Sequence, residues 1–375
     1  MNSDKVIINN KQFKAIMVCL TWPTAINFAS GFLARLVGHD MWLSGAISVI
    51  TTIPFIFIVV LLGKNFPGKT IVEYSQDLFG KILGKLLGFM LFLYFLATAA
   101  LTVSAYIQHL TDFLLPETPF IVVTIMHLIV ICYLIWQGLE VIGRIGVIAL
   151  FLDIIFFTLI LLASLPEYDL NRLMPFFNAG VVNTSIASLS ADSFTGVIQM
   201  VIAMILPMVA NQTRAFRSAA AGLAIGGAFF VFYFVAELMV MGPHLISIMR
   251  IPSMDLVRSI QITQYLHRFE SFMVALWYWS ILIRAGALAY CALIAFKQTI
   301  GIKKNNPYLV LILGLLIGVV NYYIGYNRIF FLNFREYQWQ YIALPFQYIL
   351  HVVLLLVMMI KKPFTNKPKK GRAET

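Results

Sequence analysis

Apolar runs of about 20 residues, the length of helix that crosses a bilayer, alternate with short polar segments along almost the whole chain. The pattern predicts ten spans, near 13–36, 43–63, 84–112, 120–137, 141–163, 192–211, 220–241, 270–297, 307–325 and 340–360. One all-α polytopic membrane domain over 1–375 is therefore expected, ending in a basic tail, 361–375. Two stripes stand out within it. In the third span Tyr94, Thr98, Thr102, Ala105 and His109 recur at steps of three or four, which puts them on one helical face. In the eighth, Trp277, Ser280, Arg284, Ala287 and Cys291 do the same. A polar stripe facing lipid is costly, so each is expected to face other helices, either as interhelical hydrogen bonds or as the wall of an aqueous cavity.

Composition removes the alternative of a large soluble core. Of the 375 residues 61% are hydrophobic and 11% charged, with mean hydropathy +0.88, against about 25% charged in soluble domains. Charge supplies the orientation. With the N-terminus in the cytoplasm, 19 of the 27 Lys and Arg fall in the inner segments. Seven fall outside (Arg35, Arg172, Arg250, Arg258, Arg268, Arg328, Arg335), and Arg284 alone lies inside a span. This bias predicts that both termini are cytoplasmic. The net charge of +11 is then an orientation signal that also attracts anionic lipid, and it calls for no nucleic-acid partner. The first eleven residues are polar and no short apolar run with a cleavage site follows, so the first span is expected to remain as an anchor. Cys19, Cys132 and Cys291 all fall within spans, where they read as small packing residues.

Gly63, followed four residues later by Gly68-Lys69-Thr70, matches the phosphate-loop expression. The context is wrong for it: a phosphate loop leaves a buried strand, whereas here a membrane span precedes, and Pro67 removes a donor the loop needs. No His, Cys or carboxylate grouping has metal-ligand spacing and no nucleophile motif has a plausible setting. No cofactor is implied, and the chain is expected not to be an enzyme.

Intramembrane charges are the sharper signal. Counting inward from 270 places Arg284 ~21 Å deep, near mid-membrane, and Asp153 in the fifth span reaches a similar depth, which predicts a pair. An unpaired charge there costs about 3 kcal/mol or more. Glu237, near the outer end of the seventh span, is expected to reach the interface or to serve an outer gate. His127 and His351 read as satisfied core residues before proton relays. Apolar residues interleaved with polar ones over 252–268 predict a short outer helix lying over the vestibule.

Phe66-Pro67-Gly68-Lys69-Thr70, Leu83-Gly84-Lys85-Leu86-Leu87-Gly88, Leu115-Pro116-Glu117-Thr118-Pro119, Gly138-Leu139-Glu140-Val141-Ile142-Gly143-Arg144 and Leu165-Pro166-Glu167-Tyr168-Asp169-Leu170 follow one another in a familiar order. The chain resembles the B subunit of spore germinant receptors, the GerAB family, most strongly over 40–180. That family is similar to the amino acid, polyamine and organocation transporters. The resemblance implies a LeuT-like fold: ten helices in two inverted repeats, about 13–163 and 192–360. The first helix of each repeat is then interrupted at mid-membrane, where freed backbone groups hold a ligand. Pro23, Asn27, Ser30 and Gly31 suit the first break, and Gly196 with Gln199 the second, although Gly and Ser also serve close helix packing. Two departures from the family pattern are the stretch Trp22-Pro23-Thr24-Ala25-Ile26-Asn27-Phe28 and the stretch Ile198-Gln199-Met200.

The resemblance further implies a nutrient-sensing membrane subunit, in the bacterial cell membrane or spore inner membrane, working with A-type and C-type receptor subunits. A small nutrient, in the first place an amino acid, would bind among Thr24, Asn27, Ser30, Gly31, Tyr94, Thr98, Gly196, Gln199 and Trp277. In related transporters a bound sodium, or a fixed cation in its place, links spans one, five and eight. Arg284 is either such a cation or half of a structural ion pair with Asp153. A secondary amino acid transporter working by alternating access is the alternative reading.

Overall fold

The computed structural model describes residues 8–24, 29–259, 269–303 and 306–361. Asn27 and the basic tail beyond Lys361 lie outside the described residues. The described chain is helical apart from one isolated backbone bridge between Ile8 and Val209. In order the helices are α1 (Asn10–Thr21), α2 (Ser30–Val37), α3 (Met41–Asn65), α4 (Ile71–Phe79), α5 (Lys81–Phe113), α6 (Phe120–Gln137), α7 (Leu139–Ser164) and α8 (Val181–Thr195). There follow α9 (Val197–Ile205), α10 (Ala215–Ile248), α11 (Pro252–Ser259), α12 (Phe269–Ile300), α13 (Pro307–Gly325), α14 (Arg328–Asn333), α15 (Trp339–Leu344) and α16 (Leu350–Lys361). The last three form one rod, joined by turns of wider, i→i+5 pitch at Phe334–Gln338 and Pro345–Ile349.

Nine helical stretches among the described residues are long and apolar enough to cross a membrane. The first predicted span, 13–36, does not enter that count; it is described in two pieces, α1 and α2, with residues 25–28 outside the described residues. α1 has 12 residues and α2 has 8, and a 12-residue helix reaches only ~18 Å. The sixth span also differs from the reading: α8 begins at Val181, not near 192. Helix lengths recur down the chain, 33 and 32 residues in α5 and α12, 18 and 19 in α6 and α13.

Local chemistry sets the boundaries. Thr70 caps α4: its backbone N–H donates to Glu73 Oε2 at 2.9 Å and its hydroxyl accepts from the Glu73 N–H, a capping box. Lys69 pairs with Asp77 at 2.6 Å. The Gly-Lys-Thr run is thus the start of a short helix. Gly138 alone separates α6 from α7 with φ 89°, a backbone region that a side chain would strain. Inside α10, Gly242 adopts φ 74° before Pro243, so the helix bends there, where Pro also cannot donate a helical hydrogen bond.

Packing is inside-out relative to a soluble bundle. On α6, Ile125, Met126, Ile129 and Tyr133 point outward while Val123, His127, Ile131 and Leu134 are buried. α5 packs along α12, and α1 sits among α7, α10 and α12. The close approach of α1 to α10 depends on small residues: a Cβ added at Gly222 would lie 2.8 Å from the Lys14 carbonyl, and one at Gly226 3.1 Å from that of Val18, the small-residue contact by which helices associate in lipid. At this N-terminal end Ile8 N–H donates to Met208 O at 2.8 Å, and Ala210 N–H to Ile8 O at 2.9 Å. At the opposite end Asp112 pairs with Arg250 (2.9 Å) and Arg328 (2.7 Å), and Arg35 pairs with Glu336 (2.7 Å).

Candidate functional site

Two helix ends meet a cation in the middle of the bundle. α1 stops at Thr21 and α8 at Thr195, and the last carbonyls of a helix have no partner within it. Arg284 of α12 donates from Nη1 to Leu20 O and from Nη2 to Phe194 O, the latter at 3.1 Å. These carbonyls lie in the final turns of α1 and α8, where the helix dipole is negative and favours a cation. The sequence placed Arg284 opposite Asp153. The structure corrects this: among the described residues Asp153 forms no ion pair, and its Oδ2 accepts from Trp22 Nε1 at 2.8 Å and from the Ser280 hydroxyl. Equal depth did not decide the pairing because the two helix ends offered Arg284 acceptors on its own side of α12. The link among spans one, five and eight is therefore made by Asp153 through Trp22 and Ser280, and Arg284 joins spans one, six and eight.

A small cavity of about 30 Å³ lies beside Arg284, lined by Thr24, Thr98, Leu101, Thr102, Ala105, Ser193, Phe194, Arg335 and Trp339. Its hydroxyls are oriented. Thr98 and Thr102 donate back along α5, to Tyr94 O at 2.7 Å and Thr98 O at 2.8 Å. Ser193 donates to Ser190 O at 2.7 Å, and Thr24 to Thr21 O. Of the seam of span three, Thr98, Thr102 and Ala105 thus form cavity wall, and the two threonines satisfy their protons within their own helix. All its members, Tyr94, Thr98, Thr102, Ala105 and His109, are buried.

The other proposed site residues surround the cavity without lining it. Tyr94 stacks on Trp339 with centroids 6.0 Å apart, and its hydroxyl accepts from Gln347 Nε2 at 2.9 Å. Gly196 is the residue between α8 and α9, and a Cβ there would meet Gln347 Oε1 at 2.6 Å. Gln199 is fully buried in α9, and neither of its side-chain amide atoms has a hydrogen-bond partner among the described residues. Trp277 packs on Tyr106 and His109. Ser30 and Gly31 are turned away from the cavity: Gly31 packs against Ile246, Met249 and Pro252, and Ser30 faces Glu237. Glu237 does not reach an interface. It is fully buried, because α2 and α11 pack over α10, and neither carboxylate oxygen has a donor among the described residues.

Two groups were missed by reading the sequence. Arg335, assigned there to an outer loop, is 4% exposed and lies in the cavity wall, its guanidinium 5.1 Å from the Phe194 ring centre. The wide turn Phe334–Gln338 carries it inward, as such turns often do at functional sites. Its signal was the apolar run that resumes on both sides. Asp192 is buried and accepts from Thr51 at 3.1 Å, beside a Ser48–Thr195 hydroxyl pair at 2.7 Å.

The ends of α1 and α8, around a buried cavity walled also by spans three, eight and ten, define the fold's centre. The chain is similar to Mhp1, a nucleobase-cation-symport-1 family transporter in a closed conformation with bromovinylhydantoin bound. The TM-score is 0.63, with 96% of this chain and 82% of that one covered at 13% identity. It is also similar to a manganese transporter of Eremococcus coleocola, with TM-score 0.55, 92% and 78% coverage and 12% identity. The fold is LeuT-like and the protein is a multi-pass integral membrane protein. Within that class it belongs to the spore germination protein family, whose pattern matches residues 7–329. Relatives in Bacillus subtilis (strain 168) include spore germination protein YndE, 26% identical over 72% of this chain and 73% of its own. Spore germination protein KB is 21% identical over 99% and 100%.

Proposed function

We propose that this protein is a nutrient-sensing membrane subunit of a spore germinant receptor, with both termini in the cytoplasm and an amino acid as its ligand. The observation that carries this reading is the buried cavity beside Arg284 at the ends of α1 and α8 in a chain of the germination family. A ligand held by Thr24, Thr98, Ser193 and Arg284 touches spans one, three, six and eight together, so it stabilises whichever arrangement of those spans it fits. The protein then works by binding and conformational change, with no bond made or broken, and A-type and C-type subunits read the change. Spores lacking the gene, scored nutrient by nutrient, are expected to lose the response to one nutrient class. Thr98→Leu, which fills the cavity, should shift the dose-response at least tenfold. Unchanged germination with every nutrient would overturn the proposal. The transporter fold favours one alternative, alternating-access uptake of an amino acid, for which Thr98→Leu would lower counterflow in proteoliposomes.

A further inference from the structure

One strongly polar group takes no part in the central cavity. Glu237 lies in α10 shortly before the bend at Gly242, toward the end of the bundle opposite Ile8, and is fully buried with no hydrogen-bond partner at either carboxylate oxygen. No cation pairs with it among the described residues. Ser30, the first residue of α2, faces it, is also fully buried, and has no partner for its hydroxyl. Asp255 of α11 is near enough for the two carboxylates to repel one another. On the next residue of α2, Gly31, an added Cβ would lie 3.4 Å from Ile246 O and 3.5 Å from Met249 O, so the end of α10 turns carbonyls toward the start of α2. What collects at this junction is oxygen. An isolated carboxylate in an apolar bundle is too costly to stay charged and unpaired, so it carries a proton or holds a cation. A proton covers one oxygen and leaves the other bare, together with the Ser30 hydroxyl, whereas a cation takes them all at once.

We propose that Glu237, Ser30 and Asp255 form a site for one dehydrated alkali cation, sodium or potassium, which ties α11 to α10 and α2. The donors set the class of ion: carboxylate and hydroxyl oxygens are hard ligands, and no third His, Cys, Asp or Glu joins the two acids among the described residues, which argues against zinc and the transition metals. Charge sets the valence. Arg258, on the same helix as Asp255, offsets that carboxylate, so Glu237 is the charge left over. One positive charge makes the buried site neutral, where a divalent ion would leave a surplus in the bundle. Such an ion needs only the gap between oxygens and no ligand-sized cavity. α11 is already held to α10 by the Tyr233 hydroxyl, which donates to Ser253 O at 3.0 Å, and the ion adds a second tie. None of the three residues lines the cavity beside Arg284, so the site is independent of the nutrient-sensing reading.

The test is binding of radioactive sodium, and of rubidium as the tracer for potassium, to the full chain in nanodiscs in choline chloride, with calcium as a competitor. Saturable binding of one alkali ion per chain is expected. Glu237→Gln should lower its affinity at least tenfold and Asp255→Asn at least threefold, while Asp153→Asn, which removes the buried carboxylate of span five, should leave it unchanged. Thermal unfolding of each variant without alkali ions separates loss of the site from loss of fold. In hydrogen exchange the bound ion should slow the amides of α11 at least tenfold, and Glu237→Gln should remove that protection. Absence of saturable alkali binding, or full affinity in a folded Glu237→Gln protein, would overturn the site. Calcium that displaces the alkali ion at less than a tenth of its concentration would overturn the monovalent assignment. Loss of binding in Asp153→Asn with retention in Glu237→Gln would move the ion to span five and overturn the proposal. Binding that leaves exchange of α11 unchanged would overturn the tie.

Discussion

Arg284 is stable in the bundle without an acidic partner because two helix ends supply partial negative charge where it sits. Asp153 is held separately, by an indole N–H and a hydroxyl. The two sites are therefore expected to be energetically independent. Trp22→Phe keeps the ring packing and removes the donor, so it should cost roughly 1–2 kcal/mol, read as a lower thermal midpoint in detergent. In a cycle of Asp153→Asn with Arg284→Gln the coupling should stay below about 0.5 kcal/mol, and a coupling of several kcal/mol would restore the ion pair. Depth along a span was legible in the sequence, since residue count times helical rise gives it. Direction around the helix axis was not, and direction decided that Asp153 and Arg284 face different partners. Arg335 escaped for another reason: Asn333, Arg335, Glu336 and Gln338 lower the local hydropathy, and nothing in the residue order announces the wide turn that aims one of them inward.

Elements were easier to read than contacts. The apolar runs gave α3, α5, α6, α7, α10, α12 and α13 to within a few residues at most ends, because each is a long stretch in one solvent. The divided spans were less legible, since Pro23 and Gly196 mark breaks but not which backbone atoms they free. Close helix approach was visible only as scattered glycines. Their sides are now fixed, and Gly222 is among the most demanding: a methyl there would lie 2.5 Å from Met17 Cβ and 2.8 Å from the Lys14 carbonyl. Gly222→Ala is expected to push α1 from α10 and cost about 1–3 kcal/mol, measured by thermal unfolding. A neutral result would mean that α1 shifts freely.

As a whole, the described molecule is tied together at both ends. Ion pairs among Arg35, Glu336, Asp112, Arg250 and Arg328 link helices at one end, and two backbone hydrogen bonds join Ile8 to the chain after α9 at the other. Ile8→Pro removes the donor to Met208 and leaves the side chains of the cavity untouched. It is expected to raise thiol labelling of a cysteine placed in the cavity from the N-terminal end, and unchanged labelling would show that the bridge is passive. The bridge has a further meaning for signalling. Each backbone hydrogen bond contributes about 0.5–1.5 kcal/mol, and 1.4 kcal/mol is a tenfold change in population. A catch of that strength keeps open molecules a small minority at rest yet gives way to a modest preference of ligand. On the nutrient-sensing proposal, dormancy and sensitivity are set by the same pair of bonds, so that any change weakening the catch lowers the nutrient threshold and raises the rate of awakening without nutrient.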